Sequence, residues 1–503
     1  MSNFEIEAID IRKTYGHLVA NDGVTFRVGR GEVHALMGEN GAGKSTLMSI
    51  LYGIHQPDSG SVRLRGQATK LTTPSVAIAN GIGMVHQHFK LFEPLTVWEN
   101  VVFGSEPRKG GIIDARKAIE VVSSLGEQYG LNVDPRARVS QLPVGVRQRV
   151  EILKALYRGA QTLILDEPTA VLGPQERDGL FDVLRELRLD GRTIILVTHK
   201  INEVLDISER ITVMRNGKVS GEMVTSAATA DEIVSAMTGR SVRTVSRTKQ
   251  AFGEVVLKVK GITVPSHGTK PLVDRVSFEL RAGEIIGIAG VAGNGQTELI
   301  EAITGLRHDA SGSIELAGAD ITGKPVRERR EAGLTYIPED RAATGTAIAA
   351  SAQDNLLMGF HTRRDFSRHG LINSKAALHH AKALIARFGV KIASEETPVG
   401  TLSGGNLQKI VVAREIAKES LLLVAEQPTR GVDVGAIEYI HSRLLEESDR
   451  GRAILLVSSE LSELFALSDR ILVMYEGKAV AQIDRQEADE AILGSLMAGK
   501  VAA

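Results

Sequence analysis

Two glycine-rich stretches, each placed behind a short apolar run, divide this 503-residue chain into two copies of one plan. The first reads Gly38-Glu39-Asn40-Gly41-Ala42-Gly43-Lys44-Ser45, the full G-x-x-x-x-G-K-[ST] phosphate loop. Its counterpart, Gly290-Val-Ala-Gly293-Asn-Gly295-Gln296-Thr297, lacks the lysine. Gly38 and Gly290 lie 252 positions apart, while Leu142 of LPVGV and Leu402 of LSGGN lie 260 apart, so the second copy carries eight extra residues between those landmarks. Solenoid repeats run roughly 20–50 residues. A period this long means duplicated domains, as a chain too long for one core also requires.

In each copy β-like alternation leads to an apolar strand, Val33 to Met37 or Ile285 to Ala289, then the glycine loop and a helical run. Strand, loop, helix is the setting a phosphate loop needs. Further strands are predicted at Thr162 to Leu165 and Thr193 to Val197, with an amphipathic helix around Gln175 to Leu189 between them. With a P-loop stretch in each copy, the alternation predicts an α/β fold: two tandem P-loop domains, each a mixed α/β core on a largely parallel sheet. A mostly helical pattern between Leu91 and Arg158 predicts a helical subdomain within the core. The expected boundaries are 1–240 for the first domain, 241–253 for a solvated linker carrying a short basic run, and 254–503 for the second.

The first copy holds a coherent set of chemical groups. Backbone N–H groups of the loop, at the positive end of the following helix, can wrap phosphates, and Lys44 would neutralise β/γ-phosphate charge. Ser45 suits a magnesium ion. Asp166 and Glu167 end the apolar run Leu163-Ile-Leu165, where the C-terminal edge of the sheet faces the loop. Asp166 suits the same ion, since Mg²⁺ takes oxygen ligands, and Glu167 would act as general base toward water. His199 ends the next strand within reach of a γ-phosphate, and Gln87 follows another strand and would sense metal or water. A strand-end acidic pair or a lone histidine is by itself more often structural; the combination is what points to chemistry. His86, His88, His379 and His380 form neighbouring pairs, but with no geometry behind them the core or solvated reading outweighs metal.

Taken together, the chain resembles the tandem ATP-binding subunits of ABC importers of the simple-sugar and nucleoside type, over essentially its whole length. The resemblance implies that Tyr15 stacks on adenine and that Gly38, Glu39, Asn40, Gly41, Ala42, Gly43, Lys44, Ser45 and Thr46 form the Walker A segment. It assigns Gln87 to the Q-loop, Asp166 and Glu167 to Walker B and the catalytic carboxylate, His199 to the switch, and Leu402-Ser403-Gly404-Gly405-Asn406 to the signature. ATP and Mg²⁺ are the implied cofactors, with Ser45, Gln87 and Asp166 toward the metal.

The second copy has lost the decisive groups of its own phosphate site. Gln296 replaces lysine, Glu426-Gln427 replaces Asp166-Glu167, Ser459 stands for His199, Glu339 for Gln87 and His267 for Tyr15. An amide at 427 cannot serve as a base. Gly290, Gly293, Gly295 and Thr297 remain and would form a degenerate loop. The signatures show the opposite bias: Ser403, Gly404 and Gly405 offer a hydroxyl and backbone N–H at a helix start, whereas Pro143 and Val144 of the first copy remove an N–H and add a Cβ. If sites form across the copies, as the resemblance implies, one site is complete and the other collects every loss.

Sixty basic against sixty-one acidic residues give no global electrostatic case for nucleic acid. No apolar run approaches the roughly 20 residues of a membrane helix. The N-terminus lacks a secretory pattern and there are no cysteines, so a cytosolic chain is expected; the resemblance implies a peripheral place at the cytoplasmic face of the membrane. The resemblance implies two integral-membrane permease subunits and an extracytoplasmic substrate-binding protein. Permease contacts are expected near Gln87, Glu339 and the helical inserts, with Phe89, Phe92 and Trp98 equally readable as core. The rival reading, a soluble ABC-type ATPase acting on ribosomes or nucleic acid, predicts two competent sites and basic surfaces.

Overall fold

A computed structural model describes residues 4–499 apart from 17, 87–88, 170–171, 173, 240–246, 248–250, 267 and 292. The chain forms two units, 1–242 and 243–503. Gln87, His88, His267 and most of the expected linker lie outside the described residues.

In the first unit the central sheet runs, edge to edge, Lys218–Val224, Arg210–Arg215, Val33–Gly38, Thr193–Val197, Thr162–Asp166, Ile82–Val85. All neighbours are parallel except the Lys218–Val224 edge strand. The central strands are buried on both faces, which is why they read as unbroken apolar runs. Side-chain alternation splits them between two cores. Ile164, Ile195 and Val197 pack with Leu36, Leu47 and Phe26 toward an antiparallel sheet built on Phe4–Tyr15 and Leu18–Gly29. Leu163, Leu165 and Leu196 face Val150, Leu153 and Leu184 on the helical side.

That side carries Val97–Val102, Ala115–Gln128 and Val144–Tyr157. A capping box of Thr96 and Glu99 starts the first, and Asp114 accepts the Lys117 N–H to start the second. A two-stranded hairpin, Arg108–Lys109 with Ile112–Ile113, lies within the expected mostly helical insert. The second unit repeats the plan, with a central sheet ordered Leu334–Ile337, Leu422–Glu426, Ala453–Val457, Ile285–Ala289, Arg470–Tyr475, Lys478–Asp484 and helices Ala352–Leu357, Ser374–Arg387 and Gly404–Ala417.

Arg247 departs from the solvated connector expected over 241–253. Its side chain is buried on the second unit, where Nε donates to Asp469 at 3.0 Å and Nη2 to the Gly283 carbonyl at 2.6 Å. A basic residue in a stretch without periodicity reads as solvated until the buried carboxylate that takes it is known. His380 is half-buried, its ring 4.8 Å from Phe360 and 5.0 Å from Phe366. Among the described residues no group of histidine, cysteine or acidic side chains could hold a metal ion by itself. Among the described residues no helix is long and apolar enough to cross a membrane.

Candidate nucleotide sites

The parallel register sets the first site. Val197 pairs with Asp166, and Val33 to Leu36 run beside Ile194 to Val197, so three strand ends release the phosphate loop, Asp166-Glu167 and Thr198-His199 along one edge. The loop's turn requires glycine at Gly43, where φ is 99° and a Cβ would stand 2.2 Å from the Ala20 carbonyl oxygen. Gly43 is the N-cap of Lys44–Leu51. Asn40, Gly41 and Ser45 are exposed at the lip, Thr46 is half-buried, and Gly38 and Ala42 are buried beneath. Lys44 is buried, and its ammonium donates to the carbonyls of Gly38 at 2.7 Å and Glu39 at 3.1 Å.

Burial pushes the Lys44 pKa down, against the opposing pull of Glu167 and Asp166. Burial and the neighbouring Glu167 push Asp166 up to about 6, with Lys44 acting against them. Glu167 has a positive φ of 50°, held by its N–H donating to the Val197 carbonyl at 2.9 Å. That turn aims its carboxylate at His199: Oε1 lies 2.8 Å from its Nδ1. Its Oε2 is buried without a hydrogen-bond partner. A buried lone acceptor beside a lysine and an aspartate is suited to a donor from bound substrate or water. Ser45, Asp166 and this second carboxylate also fit the oxygen chemistry of a magnesium ion.

The second module keeps the backbone and changes the chemistry. Gly295 has φ of 94° and a Cβ there would meet the Leu272 carbonyl at 2.4 Å, as at Gly43. Gly293 also has positive φ, at 88°. Gln296 fills the lysine's place against Gly290, its amide donating to the Val291 carbonyl at 3.3 Å. Gln427 has φ of 46°, its N–H donates to the Val457 carbonyl at 2.7 Å, and its amide oxygen accepts the Ser459 N–H and hydroxyl, each at 3.1 Å. Thr297 donates to Glu426 at 2.9 Å.

The two signature segments start equivalent helices. Ser403 is the N-cap of Gly404–Ala417, is exposed, and accepts Asn406 Nδ2 at 2.9 Å. Gly404 packs so close to Arg341 that a Cβ would lie 2.7 Å from its guanidinium, and a Cβ on Gly405 would lie 2.8 Å from Asp433. Pro143 is the N-cap of Val144–Tyr157, and Val144 is 43% exposed at the tip.

Tyr15 ends its strand with a 42% exposed ring, edge-on to His55 at 5.7 Å. Trp98 packs against the helical core, whereas Phe92 is about half exposed and pairs with Phe103 at 4.8 Å. Glu339 ion-pairs with Arg430. Sequence reasoning missed three groups. Tyr336 donates to Glu426 at 2.5 Å, and Arg341 donates to the Gly431 carbonyl at 3.1 Å beside the signature. Buried Glu203 accepts the Thr169 hydroxyl at 2.6 Å, matched by Glu463 and Thr429 at 2.9 Å. The repeat itself held a signal for the last pair, since both recur at the 260-residue offset.

A glycine loop opening a helix beside strand-end carboxylates, built twice with an inserted helical subdomain, defines a tandem P-loop ATPase of the ABC type. The ABC transporter family profile matches residues 21–170 and 273–430, and the chain belongs to that family. It is 45% identical over 498 residues to the guanosine import ATP-binding protein NupO of Bacillus subtilis (strain 168), covering 99% of this chain and 98% of that protein. It is 43% identical to the nucleoside import ATP-binding protein NupA of Lactococcus lactis subsp. cremoris (strain MG1363), over 98% of each. The ribose import ATP-binding protein RbsA 1 of Streptomyces avermitilis is 40% identical, over 97% of this chain and 92% of that one. Among solved structures, the archaeal ribosome recycling factor aABCE1, in complex with the ribosomal stalk protein aP1, superposes with a TM-score of 0.66 at 19% identity, over 97% and 92% of the two chains. That likeness concerns the fold.

Proposed function

We propose that this protein is the ATP-hydrolysing, energy-coupling subunit of an ABC importer for nucleosides, with one catalytic site assembled from the Walker residues of the first module and the signature of the second. The carrying observation is the 2.8 Å contact of Glu167 with His199 beside Lys44 and Asp166, set against the neutral Gln427–Ser459 pair. The full-length similarity to importer subunits supports the class, and the 45% and 43% identities to guanosine and nucleoside import proteins support nucleosides over sugars.

In this reading Tyr15 stacks on the adenine, and the backbone N–H groups from Gly38 to Thr46 and the Lys44 ammonium hold the phosphates. Ser45 and Asp166, with Gln87 assigned to the same role by the family pattern, would hold a magnesium ion, which would supply charge neutralisation at the β- and γ-phosphates. Glu167 Oε2 takes a proton from water as the water oxygen bonds the γ-phosphorus and the bond to the bridging oxygen breaks, releasing ADP and phosphate. His199 orients Glu167 and meets the γ-phosphate. Ser403, Gly404 and Gly405 donate to the same phosphate. The site built on Gly290, Gly293, Gly295, Gln296, Thr297, Glu426, Gln427 and Ser459 with Pro143 and Val144 is non-hydrolytic.

Transport then requires two membrane permease subunits and an extracytoplasmic binding protein, and the chain works at the cytoplasmic face. The test is reconstitution of the chain with its permeases and binding protein in proteoliposomes. ATP-dependent guanosine uptake, with ribose not competing, is expected; uptake of ribose with no competition by guanosine overturns the nucleoside assignment.

A further inference from the structure

The repeat diverges at one position that no phosphate-site motif includes. Tyr336, on Leu334–Ile337, pairs with Val424, two residues before Glu426, where the first module pairs Met84 with Ile164, two residues before Asp166. The phenol of Tyr336 donates to Glu426 Oε2 at 2.5 Å and the Thr297 hydroxyl donates to Oε1 at 2.9 Å. Glu426 is only 2% exposed, whereas Asp166 is half-buried and Met84 has no group to donate.

Magnesium demands near-octahedral oxygen ligands at about 2.0–2.1 Å and is bound through one or two carboxylates plus phosphate and water. The Thr297 contact alone leaves this open, because a hydroxyl that donates to a carboxylate keeps lone pairs for a cation. Tyr336 is what closes the position: it covers the other carboxylate oxygen, and Glu426 has almost no surface left for a cation or its water. The acceptor residues of the second module do not fit a magnesium ion. The loop N–H groups of Gly293, Gly295, Gln296 and Thr297 remain for phosphate.

We propose that the second module's loop binds a nucleoside di- or triphosphate without a divalent cation, with Tyr336 as the residue that excludes the metal. The proposal rests on the reading of the first module as the magnesium-dependent site. The experiment counts Mn²⁺ by electron paramagnetic resonance, and a non-hydrolysable ATP analogue by equilibrium dialysis, on the full chain. Wild type is expected to hold one Mn²⁺ and two nucleotides, and EDTA should weaken one nucleotide more than 10-fold while leaving the other within about twofold. Tyr336→Met, which installs the first module's residue, should raise the count to two Mn²⁺. Tyr336→Phe, which keeps the ring and removes the hydroxyl, should raise it toward two, with thermal melting confirming that both variants fold. Two Mn²⁺ per wild-type chain, one nucleotide per chain, or no rise in either variant overturns the proposal. Asp166→Asn should leave no Mn²⁺; a bound ion surviving in it overturns the reading of the first module instead.

Discussion

His199 Nδ1 stands 2.8 Å from Glu167 Oε1, and at the matching place in the second module Ser459 meets the Gln427 amide oxygen at 3.1 Å. The backbones agree, with φ of 50° and 46° and the same N–H bond to the neighbouring strand end. The fold therefore presents a side chain at this point in both modules, and only its chemistry differs. Glu167→Gln should lower steady-state phosphate release by about 10²–10⁴-fold, the range of a lost general base, while nucleotide affinity stays within a few-fold. Gln427→Glu should add no second turnover, because Ser459 and Gln296 remain. Substantial phosphate release in Glu167→Gln would remove Glu167 from the role of base.

Lys44 and Gln296 are both buried at the start of a helix, yet only the lysine brings charge. A charge-assisted hydrogen bond contributes about 1.5–3 kcal/mol, so Lys44→Ala should weaken ATP analogue binding at one site by about 10- to 150-fold. Turnover should be abolished. Gln296→Ala, which removes only a neutral amide contact, should change affinity less than fivefold. Isothermal titration of the full chain separates the two, and equal losses would contradict the assigned asymmetry.

Ser403 and Pro143 occupy the same N-cap position on equivalent helices. If the second module's tip serves the hydrolytic site, Ser403→Pro should lower turnover at least 100-fold, on the order of a lost oxyanion-type donor, and Pro143→Ser should leave turnover within twofold. Helix content by circular dichroism should not change, since proline is tolerated before the first helical turn. The reverse pattern of losses would assign hydrolysis to the other pairing.

Much of this was legible from residue order alone. Strands buried on both faces announce themselves as apolar runs, and Ile285–Ala289 and Thr193–Val197 begin and end where those runs do. The glycines of the loops and the residues at 166, 167, 199, 426, 427 and 459 were found because motifs fix their spacing. Tyr336, Arg341 and Arg247 were not, for a common reason. Each acts through a partner between 90 and 222 positions away, Glu426, Gly431 and Asp469 respectively, and no local pattern marks a side chain whose partner is set by sheet order. The hairpin at Arg108–Ile113 escaped because strands of two residues carry no periodicity.

Asp166 supplies a stability signature independent of turnover. Its pKa is about 6 in the folded chain against an ordinary 3.8, because burial and Glu167 disfavour its charge more than Lys44 favours it. Between those values the folded state holds more protons than the unfolded one, so this group makes stability fall as pH rises from about 4 to about 6. The full cost is present above pH 6 and absent below about 4. At about 1.4 kcal/mol per pH unit, it amounts to no more than about 3 kcal/mol. Asp166→Asn removes the titration, and groups remote from Lys44, Asp166 and Glu167 cancel in the difference between the two proteins. Urea denaturation from pH 4 to 8 should show the variant close to wild type at pH 4 and more stable by about 1–3 kcal/mol at pH 7. Parallel stability curves across that range would mean that Asp166 carries no such strain, and that the cluster of Lys44, Asp166 and Glu167 is balanced without a metal ion.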